Sequence, residues 1–234
     1  AKSLEFGTAG LRGTLGAGTN RMNIWVVRQA TQGVADWVKT QGGSQTVAIS
    51  YDSRLKGWSF ARDAASVLAA NGIKVRIYEE LMQVPALSFA TRYYHCNAGI
   101  MLTASHNPAQ YNGYKAYGPD GCQMTDDAAA VVYASIQKTD VLSGAKYMSF
   151  SEGVEKGLIR FVSEDCKSAF YDAVESRQVR PGLCRTAGLK LVYSPLNGAG
   201  LVPVTRVLQD IGISDITIVP EQEYPNGYFT SCPY

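Results

Sequence analysis

The 234-residue sequence has no long apolar run and no dense block of charge of either sign. No stretch approaches the roughly 20 apolar residues needed to span a bilayer as a helix. Lys and Arg, 22 in all against 20 acids, are scattered. That argues against nucleic acid or a membrane surface as partner, while single cations remain available for a phosphorylated small molecule. The amino terminus, AKSLEFGTAG, lacks a secretory apolar core. The five cysteines (Cys96, Cys122, Cys166, Cys184 and Cys232) are odd in number, widely spaced and form no C-x-x-C. Neither a disulfide framework nor a zinc knuckle fits that pattern, and the expected compartment is the reducing cytoplasm. There is no G-x-S-x-G elbow, no G-x-x-x-x-G-K-[ST] phosphate loop and no H-E-x-x-H, so three common enzyme motifs drop out. Internal repeats and low-complexity segments are missing too.

What is present suits a folded α/β protein. Apolar residues make up 46% of the chain and charged residues 18%, a balance that favours a buried core over disorder. Val27, Ala30, Val34, Trp37 and Val38 recur at helical spacing and predict an amphipathic helix over 24–40. TVAIS (46–50), IKVRIY (73–78) and NAGIMLTA (97–104) read as strands, alternating with helices over 59–72 and 85–94. GYKAYG (113–118) is a short strand leading to a PDG turn. Thr125 caps a helix over 126–139, with two acids in its first turn. A further helix follows over 163–178. The alternation predicts a mainly parallel mixed sheet flanked by helices. VRPGLCRTAG (179–188) reads as a linker, dividing the chain into a domain over 1–180 and the start of another α/β unit over 181–234. Only two strands fall in that second unit, too few for a sheet with its own core.

Three motifs carry chemistry. TASHNP (103–108) leaves a strand and at once presents Ser105 and His106, and in parallel sheets the chemistry sits at the carboxyl ends of strands. Neighbours on an extended chain point to opposite sides, so His106 is poorly placed to serve as base for Ser105. The other histidine, His95, reads as packing or surface. FGTAGLRG (6–13), extended by TLGAGTNRMN, describes a tight glycine-rich backbone around Arg12. Such a stretch either cradles a phosphate, with arginine as a forked donor, or is simply a turn. In YNGYKAYG (111–118), Lys115 is either solvated surface or, returning to the same strand edge as Ser105, a proton-transferring group in an enclosed site.

Taken together, FGTAGLRG, TASHNP and YNGYKAYGPDG, in this order and spacing, resemble the α-D-phosphohexomutase superfamily, which includes phosphoglucomutase, phosphomannomutase and phosphoglucosamine mutase. GAGTNRMN is similar to the phosphoglucomutase and phosphopentomutase branch, and VYSPLNGAG and VPEQEYPNGYF to the entry into the family's second domain. The resemblance implies that Ser105 carries the phosphate and its oxygen binds Mg²⁺. It further implies that Lys115 and His106 act beside it and that Thr8, Arg12, Arg21 and Asn107 bind substrate. The implied reaction moves phosphate between C1 and C6 of glucose, with glucose 1,6-bisphosphate as activator and a sugar phosphate as substrate.

Against the family pattern, this sequence lacks the aspartate-rich metal loop, the sugar-selecting loop and the distal phosphate loop. The expectation is an amino-terminal portion of a parent enzyme, inactive alone. Phosphopentomutase and phosphomannomutase remain open as alternatives, as does a non-catalytic phosphate-binding or interaction fragment that pairs through its exposed sheet edge. The reading assigns no oligomeric state.

Overall fold

A computed structural model describes residues 3–7 and 10–232. Strand β1 (Gly10–Thr14) is followed by helix α1 (Ile24–Thr40), β2 (Thr46–Tyr51), α2 (Gly57–Ala70) and β3 (Lys74–Ile77). Then come α3 (Val84–Tyr93), β4 (Ala98–Leu102), β5 (Tyr111–Tyr117), α4 (Asp126–Lys138), α5 (Phe150–Glu155), β6 (Ile159–Phe161) and α6 (Glu164–Glu175). The six strands form one sheet in the order β1-β5-β4-β2-β3-β6. The run β4-β2-β3-β6 is parallel, while β5 is antiparallel to both β4 and β1. This is the mainly parallel mixed sheet expected from the sequence.

Alternation along the strands assigns each face its cover. Val47, Ile49, Ile100, Tyr114 and Leu11 face a core shared with α1, α2 and α4. Ala48, Met101 and Tyr117 face the other way, into a smaller core built with α3 and α6. Helix α1 meets α4 closely enough that a methyl group on Gly33 would lie 2.6 Å from Ile136 Cγ1. Asn23 caps α1, its Oδ1 accepting from the amides of Trp25 and Val26 at 3.1 Å. Its Nδ2 donates to the carbonyls of Gly16, Gly18 and Arg21. The glycine-rich stretch before α1 is thus ordered by one asparagine.

One stretch departs from the sequence-based expectation, and another has no sequence-based assignment. The second half of the FGTAGLRG motif, from Gly10 to Gly13, belongs to the edge strand β1 instead of a free loop. Its glycines serve close packing: a Cβ on Gly10 would meet Tyr114 O at 2.6 Å. Residues 150–161, which show no clear period, form α5 and β6, and Ser149 caps that helix through Glu152 N.

The second unit contains a short helix α7 (Leu183–Thr186) inside the 179–188 stretch, then β7 (Lys190–Tyr193), α8 (Leu201–Asp210) and β8 (Asp215–Ile218). β7 and β8 pair in parallel as a separate two-stranded sheet. Val192 of β7 is 72% exposed and Val202 of α8 60%, so this unit buries little of its own apolar surface. It leans on the first unit instead: α8 packs on α6, with Arg206 over the Tyr171 ring at 5.3 Å.

No helix among the described residues is long and apolar enough to cross a membrane. All five cysteines are free thiols. Burial pushes Cys96 up to about 12 and Cys166 up to about 11, which keeps both in the unreactive thiol form. A thiol reagent applied to the native chain at pH 8 is therefore expected to modify exposed Cys122 first, and Cys96 and Cys166 only after denaturant is added. Equal labelling rates for Cys96 and Cys122 would contradict this packing.

Candidate active site

β2 and β4 are adjacent and parallel, so the loops at their carboxyl ends lie side by side. The loop after β4 carries Ser105, His106 and Asn107, and the loop after β2 carries Asp52 and Arg54. On the neighbouring pair, Leu11 lies opposite Tyr114, and both are buried in the larger core. Arg12 and Lys115 alternate with them and so project from the opposite face. The sheet thereby delivers both cations to the side on which the serine loop emerges. A cavity of 380 Å³ is lined by Arg12, Ser105, Lys115, Thr103, Glu5 and Gln123 among others.

Ser105 is held in a left-handed conformation, with φ 56°. Few non-glycine residues adopt it, and they cluster where function or tight packing over-determines the backbone. Here the determinants are visible. The Ser105 amide donates to Thr103 Oγ1 at 2.9 Å, and that hydroxyl donates to Asp52 Oδ2 at 2.5 Å. Asp52 Oδ1 also accepts from Arg54 N at 3.1 Å. Burial raises the Asp52 carboxyl above its ordinary range, with the Thr103 hydroxyl and Arg54 pulling the other way. The side chain of Ser105 remains exposed.

The turned backbone corrects the expectation for His106. On an extended chain its ring would point away from its neighbour, but the left-handed serine brings His106 Nδ1 to 3.2 Å from Ser105 Oγ. Asn107 braces the loop from within, its Nδ2 donating to Ala104 O at 2.8 Å. Arg21 does not line the serine cavity; it donates to Thr14 Oγ1 at 2.6 Å. Thr8 lies outside the described residues.

Arg54 is the residue that the motifs did not single out. It is 4% exposed. Nη1 donates to the carbonyls of Pro108 and Tyr111, both at 3.0 Å, and Nη2 to those of Ser105 at 2.8 Å and Asn107 at 2.5 Å. The available signal was positional: YDSRLKG follows a strand adjacent to the one that ends in TASHNP.

Two cations and one carboxylate around an exposed hydroxyl form a pocket suited to an anion that Ser105 can touch or carry. The residues do not make a complete Mg²⁺ site. Among the described residues no group of three or more His, Cys, Asp or Glu could hold a metal. Magnesium favours near-octahedral oxygen coordination with carboxylates and waters, and Glu5 is the one carboxylate in the cavity lining.

The family description "phosphoglucomutase/phosphomannomutase, alpha/beta/alpha domain I" matches residues 3–142. A phosphoglucomutase of Staphylococcus saprophyticus is 34% identical over 226 residues, which cover 97% of this chain and 40% of that protein. The Staphylococcus epidermidis phosphoglucomutase is 33% identical over 229 residues, covering 98% and 41%. Among solved structures, a Thermus thermophilus protein assigned as a phosphomannomutase superposes with a TM-score of 0.81 at 25% identity, over 98% of this chain and 48% of its own. A phosphoglucomutase/phosphomannomutase family protein of Burkholderia thailandensis shares the fold, with a TM-score of 0.70 at 23% identity over 95% of this chain and 44% of that one. The chain spans about two fifths of the length of the curated relatives it matches.

Proposed function

Because the chain belongs to the phosphoglucomutase/phosphomannomutase family, we propose that it carries the phosphoserine half of a mutase site. In this reading phosphorylated Ser105 gives its phosphoryl group to the free hydroxyl of a hexose monophosphate, and Ser105 Oγ then takes one back from the other end of the resulting bisphosphate, so that phosphate moves between C1 and C6. The observation that carries the reading is the display of Ser105: exposed, left-handed, and in one cavity with Arg12 and Lys115. Phosphoryl transfer depends more on alignment and charge neutralisation than on a strong nucleophile. Arg12 supplies a planar fork to the phosphate oxygens. Lys115 holds charge or moves a proton at the sugar hydroxyl, and His106 hydrogen-bonds the serine oxygen. Glucose is the proposed sugar, with glucose 1,6-bisphosphate as the activator, and the cytoplasm is the proposed compartment. Magnesium, when bound to the serine phosphate, would neutralise charge there. These residues supply too few donors to complete its shell. For the same reason the chain alone is expected to show no measurable mutase turnover.

Intact mass and peptide mapping of the longer parent protein, after incubation with glucose 1,6-bisphosphate and Mg²⁺, test the carrier. One phosphate is expected on Ser105, and none in Ser105→Ala. Phosphate found elsewhere with Ser105 unmodified, or no phosphate at all, would overturn the reading.

A further inference from the structure

We propose that Arg54 is the positioning residue of the serine loop and that Phe229, from the second unit, holds the Arg54 guanidinium in place. The proposal rests on the reading of Ser105 as phosphate carrier for its importance, though not for its geometry.

Four carbonyl oxygens, those of Ser105, Asn107, Pro108 and Tyr111, converge on one buried guanidinium. A lysine could not reproduce this. Its donors radiate from a single nitrogen, whereas arginine's two terminal nitrogens are spaced in a rigid plane. Each carbonyl engaged by Arg54 is drawn away from any anion on the serine side. The positive charge lies beneath the loop that would carry that anion. Asp52 offsets the charge only in part, with its Oδ2 3.7 Å from Arg54 Nε, and among the described residues that nitrogen has no hydrogen-bond acceptor.

The second unit reaches this loop through residues 224–230. Gly227 is pressed against the backbone of residues 53–55, where a Cβ would meet Leu55 N at 2.7 Å and Ser53 O at 2.9 Å. The Phe229 ring then lies 5.3 Å from the Arg54 guanidinium carbon. Phe229 has φ 50°, a costly conformation for an aromatic residue, and the turn that imposes it is held by Phe229 N donating to Asn226 O and Asn226 N to Asn197 O. Asn197 is itself buried. A chain of contacts therefore runs from the second unit, through Phe229 and Arg54, to Ser105.

Amide hydrogen exchange on the 234-residue chain tests this directly, comparing wild type, Arg54→Lys and Phe229→Leu. Amides of residues 104–107, 109 and 110 are expected to exchange at least about tenfold faster in Arg54→Lys and about threefold faster in Phe229→Leu, with β2 and β4 unchanged. As a readout of position, phosphoserine installed at residue 105 during translation should give one narrow phosphorus resonance in wild type. In Arg54→Lys that resonance should move toward free phosphoserine. Unchanged loop exchange in either variant overturns the proposal, as does an unmoved resonance. If Arg54→Lys fails to fold, Phe229→Leu decides alone by the same criterion. The exchange result stands whether or not Ser105 captures phosphate, so failure of the carrier reading and failure of this one are separable.

Discussion

In the longer parent protein proposed above, Arg12→Ala and Lys115→Ala are each expected to slow phosphate capture on Ser105 by more than about a hundredfold while leaving the fold nearly as stable as before. Both side chains line the cavity, and neither is fully buried. Substitution at such positions costs under about 1 kcal/mol of stability. Loss of a charge-assisted contact to a transferring phosphoryl group, worth about 3 kcal/mol in the transition state, lowers a rate by more than about a hundredfold. The two effects separate cleanly in a single-turnover assay run beside a urea titration. Arg12→Lys is the sharper probe: it keeps the charge and removes the fork, so a rate close to wild type would show that Arg12 acts as a point charge only. Near-normal capture in both alanine variants would remove them from the site.

Much of this arrangement is written locally in the sequence. Val27, Ala30 and Val34 mark the buried stripe of α1 by spacing alone, and all three are fully buried. Thr125, followed by two acids, announces the start of α4, and its hydroxyl accepts from Ala128 N. The three motifs that hold Ser105, Arg12 and Lys115 are also legible, and the fold brings these three together. What stays hidden is conformation set from a distance. β1 is disguised by glycines that weaken any strand signal and are required by contact with β5. The left-handed turn at Ser105 follows from Asp52 and Thr103, side chains 51 residues apart in sequence. Arg54 reads as one arginine in one loop until the topology sets β2 beside β4. Asn23 similarly looks like any polar residue before a helix, although it closes the preceding loop. The site residues are readable from chemistry, whereas the residues that orient them become readable only from the strand order.

Gly113 sits where those two kinds of information meet, and Gly113→Ala is expected to cost about 2–3 kcal/mol of stability. In β5 it lies opposite Arg12, and its carbonyl accepts from the Thr103 amide at 3.2 Å. An added Cβ would stand 2.5 Å from Thr103 O and 2.8 Å from Leu11 O. Both atoms are backbone, on the two chains that flank β5, so no side-chain rotation relieves the clash. Either β1 moves outward and takes Arg12 with it, or the root of the serine loop moves and takes Ser105. The two cannot both stay, so capture should fall along with stability. Gly7→Ala provides the comparison, because among the described residues a Cβ there meets nothing within 4 Å, and its stability should stay within about 0.5 kcal/mol of wild type. A urea titration reads both variants through the midpoint at constant slope. A Gly113→Ala midpoint equal to that of Gly7→Ala would mean that β5 has slack at this position. The close approach of three strands beneath the cavity would then not be what holds Arg12 and Ser105 together.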